Sequence, residues 1–167
     1  MSVPTTSYLH HPSPLGELVL AATAHGLCGV YFEQHRYFQG TGDWQHDPAQ
    51  AHLRAAAQQL DDYFAGARTM FDLPLDLTGT VFQRSVWQML GSIGYGITSS
   101  YGKQAERLGR PAAVRAVGTA IGRNPVSIVV PCHRVLGRHG ALSGYAGGLD
   151  RKQFLLDLES RRSDFPC

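Results

Sequence analysis

The stretch that most limits the fold is Val126-Ser127-Ile128-Val129-Val130, closed by Pro131. A run so apolar and β-branched predicts a short buried strand. Proline has no amide hydrogen to offer a ladder, so the strand should end there. Cys132 then falls where a stiff segment turns near the core, with His133 and Arg134 directly after it. Thiols attack as thiolates, and nearby positive charge favours that form. Two readings stay open from these residues alone. One is a packed structural cysteine, since free Cys is among the most buried side chains. The other is a nucleophile with a histidine base.

At 167 residues the chain can bury a sizeable core as one domain or two small ones. No apolar run is long enough to span a bilayer. Met1 to Thr6 lacks the basic and apolar regions of a secretory leader. The three cysteines, Cys28, Cys132 and Cys167, do not make a disulfide framework, and no CxxC spacing offers zinc ligands. A cytoplasmic setting without membrane contact or bound metal is therefore expected.

Charge is uneven along the chain. Residues 1–79 carry three Lys and Arg against eight acids, and residues 80–167 carry twelve against five. Only the second part invites a polyanion, most simply nucleic acid, although a solvated basic face has the same composition. Thirteen of the fifteen basic residues are arginine, whose planar fork suits phosphates and base edges.

Leu77-Thr78-Gly79 reads as a linker. The expected class is α+β: a small N-terminal α/β scaffold over 1–79, then a mainly helical domain over 80–167 with a helix-turn-helix and the short strand above. In the scaffold, turns at Ser13-Pro14-Leu15-Gly16 and His25-Gly26 frame an antiparallel hairpin of Glu17–Ala22 with Leu27–Phe32. Asp47 as cap and Pro48 at the first position predict a helix striped by Leu53, Ala57, Leu60 and Phe64 and ended by Gly66. Phe71-Asp72-Leu73 reads as a further strand. The histidines here show no ligand spacing.

In the second part, Thr80 and Gln83 form a capping box for a helix that turns Phe82, Val86, Met89, Leu90 and Ile93 inward, with Trp87 at its flank. A short helix from Ser100 or Tyr101 to Leu108, a stop at Gly109, and a second helix opened by Arg110-Pro111 and running to about Gly122 read as helix-turn-helix. On the second helix Val114, Val117, Gly118 and Ile121 share one face, and Ala112, Arg115, Ala116, Thr119 and Arg123 the other. Small residues around one long arginine suit close approach to a nucleic-acid backbone. An alanine-rich packing helix is the plainer alternative. Beyond Arg134, glycines at 137, 140, 144, 147 and 148 flank Tyr145, an arrangement that would admit a planar ligand. A last helix, Asp150 to Ser160, should bury Phe154, Leu155 and Leu158, with Glu159 at its end, before a frayed tail that holds Cys167.

Four segments together resemble the O6-alkylguanine-DNA alkyltransferases: Arg115-Ala116-Val117-Gly118, Asn124-Pro125, Pro131-Cys132-His133-Arg134-Val135 and Ser143-Gly144-Tyr145-Ala146-Gly147-Gly148. The likeness is dense from Thr80 to Glu159 and extends weakly to Ser13–Gly16 and Tyr63–Gly66. It implies direct reversal of DNA damage without a cofactor. A monomer would bind duplex DNA, flip out O6-alkylguanine, or O4-alkylthymine as a second lesion, and transfer the alkyl group irreversibly to its own cysteine. On this resemblance Cys132 is the acceptor. His133 takes the thiol proton through a water, and Glu159 orients that histidine. Asn124 braces the segment, and Tyr101 assists the departing guanine at N3 and crowds the target phosphate. Arg115 enters the stack, with Ala116, Gly118, Thr98, Tyr101 and Arg123 on the DNA. Tyr145, Ala146, Gly147, Ile121 and Val135 wall the pocket.

Three departures stand out. The Gly-Glu-Thr turn usual in bacterial members is Gly96-Ile97-Thr98 here. An acid common after Ser-Tyr-Gly is Lys103, which removes the capping box expected at Ser100. The Cys/His set that holds zinc in some members is unmatched. The four-cysteine domain of the adaptive-response regulators is absent too, which implies the stand-alone form. Two rivals remain at this level, a regulator that only binds DNA and a Cys-His hydrolase. The cysteine itself speaks against the first, and the want of an evident oxyanion hole against the second.

Overall fold

Ser13 builds the first reversal of the chain: its hydroxyl donates to the Gly16 carbonyl at 2.6 Å and accepts from the Leu15 amide at 3.1 Å. That turn joins β1 (Ser7–His11) antiparallel to β2 (Leu18–Thr23), which pairs antiparallel with β3 (Gly26–Tyr31). The hairpin is the expected one; β1 is an addition. A short β4 (Gln45–His46) lies parallel to β1, giving the order β3-β2-β1-β4. The computed structural model describes residues 5–163, which part into two units between Thr78 and Gly79. The Cys167 tail lies outside the described residues.

Phe71–Leu73 is not a strand. The ladder contact falls later, where Leu27 donates to Pro74 O and Asp76 donates to Leu27 O, both at 2.8 Å. This close approach needs Gly26, since a Cβ there would stand 2.5 Å from the Pro74 carbonyl oxygen. Helix α1 (Ala51–Phe64) also starts later than expected. Asp47 closes an Asx turn on the Ala49 amide, and Gln50 caps the helix by accepting from Leu53 N at 2.9 Å. Its buried stripe is Leu53, Ala56, Leu60 and Tyr63, rotated from the expected one, with Ala57 and Phe64 half-buried. Gly66, at φ +78°, ends it in a Schellman pair: Gly66 N to Tyr63 O and Ala67 N to Asp62 O. Leu18, Leu20, Leu53 and Leu60 are fully buried beneath the sheet and this helix, each worth about 1.5–3 kcal/mol.

In the second unit, α2 (Val81–Leu90) begins with the expected capping box, Thr80 and Gln83 exchanging bonds of 3.0 Å. Trp87 is in the core and not at the flank: its ring N–H donates to Ala120 O at 2.8 Å and ties α2 to the fourth helix. A short strand β5 (Ser99–Ser100) precedes α3 (Tyr101–Arg107). Ser100 still caps α3 by accepting from Lys103 N at 3.1 Å, so only the reciprocal half of the box is missing. A turn at Pro111–Ala113 leads to α4 (Val114–Gly122), which buries Val117, Ala120 and Ile121. Val114, expected inward, is 38% exposed because it opens the helix at its free end. Residues Cys132–Arg134 form one tight helical turn, followed by β6 (Val135–Leu136), parallel to β5, and by α5 (Leu149–Ser163). The buried stripe of α5 holds Lys152, Leu155 and Glu159, while Phe154 and Leu158 are only half-buried. Among the described residues no helix is long and apolar enough to cross a membrane.

Candidate active site

The expected strand before the thiol is replaced by a turn. Val130 N donates back to Val126 O at 3.0 Å, Val129 N to Ser127 O, and Cys132 N to Val130 O. Ile128 sits at φ +72°, a region that a β-branched residue rarely occupies. Asn124 holds this geometry from inside. Its Oδ1 accepts from Val126 N at 3.0 Å, and its Nδ2 donates to Val130 O at 2.9 Å and to Cys132 Sγ at 3.2 Å. The apolar run was a sound signal of burial but says nothing of the hydrogen bonds that a neighbouring amide can offer.

Cys132, His133 and Arg134 are all buried on the next turn. Glu159 reaches them from α5. His133 Nε2 lies 2.7 Å from Glu159 Oε2, while Arg134 donates to both carboxylate oxygens, at 2.7 and 3.0 Å, and also to Ile93 O. These bonds outweigh burial and hold the Glu159 carboxyl down at about 2. Burial pushes the His133 imidazolium the other way, so the ring is readily neutral despite its acid. A neutral ring bonded to a carboxylate through Nε2–H presents Nδ1 as acceptor. Nδ1 is buried and has no protein partner among the described residues.

Burial raises the Cys132 thiol, and the Asn124 bond and the Lys152 charge offset part of that rise. The cation that acts on the sulfur is Lys152, one that the sequence reading passed over. It is fully buried, and its Nζ donates to the carbonyls of Val135 at 2.7 Å, Ser143 at 2.8 Å and Gly144 at 3.1 Å. Desolvation pushes it down to about 8. A signal was there: a lysine three residues before Leu155 and seven before Glu159 stands on the same helical stripe. Tyr101 donates to the same Ser143 carbonyl at 3.1 Å, with its ring 5.8 Å from Lys152 Nζ. The Tyr145 hydroxyl is buried beside Ser127, and the proximity of Cys132 adds to the rise in its pKa.

The fold thus gathers Cys132, His133, Glu159, Asn124, Tyr101 and Tyr145 around one sulfur, with Lys152 and Arg134 added. Two expected wall residues, Ile121 and Val135, are 3% and 0% exposed, so neither presents a wall to solvent. Ala146 is half-buried, and Gly147 is buried with its carbonyl bound by Arg151. Arg115, Ala116, Thr98 and Arg123 are exposed, and Gly118 is half-buried with the Tyr101 ring beside it. Among the described residues no three His, Cys, Asp or Glu side chains gather to hold a metal ion.

Two family models match nearly the whole chain. One described as 6-O-methylguanine DNA methyltransferase, ribonuclease-like domain, covers residues 6–77, and one described as the DNA binding domain of the same family covers residues 81–161. A methylated-DNA–protein-cysteine methyltransferase of Mycolicibacterium paratuberculosis is 50% identical over 151 residues, 90% of each chain. One from Methanosarcina acetivorans is 46% identical over 91% of this chain and 97% of its own. The crystal structure of Mycobacterium tuberculosis OGT in complex with DNA superposes with a TM-score of 0.89 at 46% identity, covering 93% of this chain and 94% of that one.

Proposed function

The chain belongs to the 6-O-methylguanine DNA methyltransferase family, and on that premise we propose that it repairs O6-alkylguanine in duplex DNA by taking the alkyl group onto Cys132, once per chain. The observation that carries this reading is the buried line from Cys132 to His133 to Glu159, closed at 2.7 Å and locked by Arg134. A target base inside a duplex must be flipped out before a buried sulfur can reach it, at a cost of a few kcal/mol. The thiol is protonated at rest. Its proton passes through a bridging water to His133 Nδ1, and Glu159 stabilises the imidazolium that forms.

The sulfur then attacks the alkyl carbon, the carbon–O6 bond breaks, and its electron pair leaves with guanine. Tyr101 supplies a hydrogen bond or proton at N3, and Lys152 offsets the charge on the sulfur. The product is a thioether, outside the reversible thiol ladder. Cys28 is a poor competing nucleophile, since burial and Asp76 push its thiol up to about 11. A monomer in a reducing cytoplasm keeps the acceptor free. Intact mass after incubation with O6-methylguanine duplex tests the reading. One methyl group should be gained per chain, on Cys132, and Cys132→Ser should bind DNA without gaining mass. Repeated turnover, or alkylation at Cys28, refutes it.

A further inference from the structure

The carboxylate behind His133 is bound more heavily by other groups than by the histidine. Arg134 Nε and Nη2 fork onto its two oxygens at 2.7 and 3.0 Å, while Nη1 donates to Ile93 O. The Gly96 amide donates to Oε1 at 3.3 Å, and His133 Nε2 lies 2.7 Å from Oε2. The Tyr95 ring lies 5.8 Å from the guanidinium carbon, within cation–π range. Arg134 and Glu159 are 6% and 1% exposed, so each charge is met chiefly by the other and little by solvent.

A carboxylate strengthens a histidine base through its charge, and a cation on that carboxylate takes the effect away. Among the described residues, Glu159 and Lys152 of α5 and Arg134 of the same turn bear on His133; the acid favours the imidazolium and both cations oppose it. Lys152 also favours the thiolate of Cys132, near which Tyr101 and Tyr145 hold neutral hydroxyls. Its two effects therefore oppose each other. The bonds of Arg134 go to Glu159 and Ile93, on the base side of the relay.

We infer that Arg134 is a positioning residue that restrains the nucleophile: by cancelling the charge of Glu159 it keeps the His133–Glu159 pair a weak base and so spares the thiol from small electrophiles. The inference deepens the repair reading and rests on it. A chain that reacts once is lost to any stray alkylating agent that its thiol meets. Capture of an alkyl halide follows the thiolate fraction alone, so a scarce thiolate is protection. Transfer from a seated guanine also draws on the Tyr101 donor, and so depends less on that fraction.

The test follows alkylation of the full chain by iodoacetamide against pH, read at Cys132 by mass. The thiolate attacks the methylene carbon, the S–C bond forms, iodide leaves with its electron pair, and the thiol proton stays on the His133–Glu159 pair. Arg134→Met should move the midpoint of the profile down by about one pH unit or more, with a rate gain of about tenfold per unit below it. Repair of an O6-methylguanine duplex should gain less, so the ratio of the two rates shifts toward iodoacetamide. Arg134→Lys, which keeps a charge without the fork, should stay near the wild-type profile. A purely structural arginine would lower the unfolding midpoint of both variants and leave the profile in place, and that result overturns the inference. A profile in Arg134→Lys that follows Arg134→Met overturns it too, as does an Arg134→Met chain that gains no reactivity. Where Arg134→Met does not fold, Glu159→Gln and the double variant Glu159→Gln/Arg134→Met decide: the midpoint should be lower in the double variant, and an equal or higher one overturns the inference. A wild type that gains no methyl group from the duplex refutes the repair reading, whatever the iodoacetamide profile shows.

Discussion

The amide of Asn124 donates to the sulfur of Cys132 at 3.2 Å while the same side chain holds the backbone at Val126 and Val130. One residue therefore stabilises both the turn that aims the thiol and the charge that the thiol must acquire. Asn124→Ala should strand at least two buried backbone groups, at about 1–3 kcal/mol each. It should lower the unfolding midpoint and raise the thiol pKa together. A thiol titration that does not move in a destabilised variant would assign Asn124 to the turn alone.

Glu159 accepts from two side chains at once, one bond from His133 and two from Arg134. Glu159→Gln and His133→Ala should each slow alkyl transfer by ~10²–10⁴-fold, with DNA affinity nearly intact, because neither group faces solvent. Rates within about twofold of the wild type would show that the proton leaves by another route. The acid also marks stability. Its folded pKa, about 2, lies below its ordinary 4.5, so its contribution is present above about pH 4.5 and is lost as pH falls through 2. Denaturant midpoints of wild type and Glu159→Gln should converge across that window.

Lys152 gives a prediction at the other end of the scale. Burial holds it at about 8 against an ordinary 10.5, so between these values the unfolded chain binds the extra proton and stability rises with pH. Over the same range the sulfur loses its cationic neighbour. The alkyl-transfer rate should climb with pH as the thiol ionises and then bend near pH 8. Lys152→Met should react slowly at all pH values and show no bend. A bend that persists in Lys152→Met would belong to another group.

Much of this was legible in the sequence, for identifiable reasons. The cap at Thr80 and the stops at Gly66 and Gly109 are local, and their chemistry depends on few neighbours. The segment before Cys132 was misread because a short apolar run signals burial without signalling geometry. Its turn depends on Asn124, which propensity does not weigh. Lys152 was passed over because lysine is rarely buried, and its three carbonyl partners come from β6 and from a loop that no helical pattern describes. Ile121 was expected on the pocket wall through the resemblance, yet it is 3% exposed on the buried face of α4 with Val117 and Ala120.

Arg115 yields the sharpest test of how the duplex is opened. It stands exposed on α4 next to Ala116 and one turn from Thr119, whose hydroxyl turns back to the Arg115 carbonyl at 3.1 Å. Its near neighbours Ala112, Ala116 and Thr119 are small, so the guanidinium stands clear of that part of the face. Extrusion of a nucleotide leaves a gap in the stack and an orphaned cytosine that would recapture its guanine. A planar cation can fill the gap and hydrogen-bond the orphan. Arg115→Ala should then slow repair of duplex DNA strongly, while reaction with free O6-benzylguanine, which needs no extrusion, falls far less. A 2-aminopurine beside the lesion should lose the fluorescence rise that reports unstacking. A plain phosphate contact predicts something else: an affinity loss that disappears at low salt, with the salt slope reduced by about one. Equal loss on free base and duplex would mean that Arg115 supports the pocket or the fold and leaves extrusion to other groups.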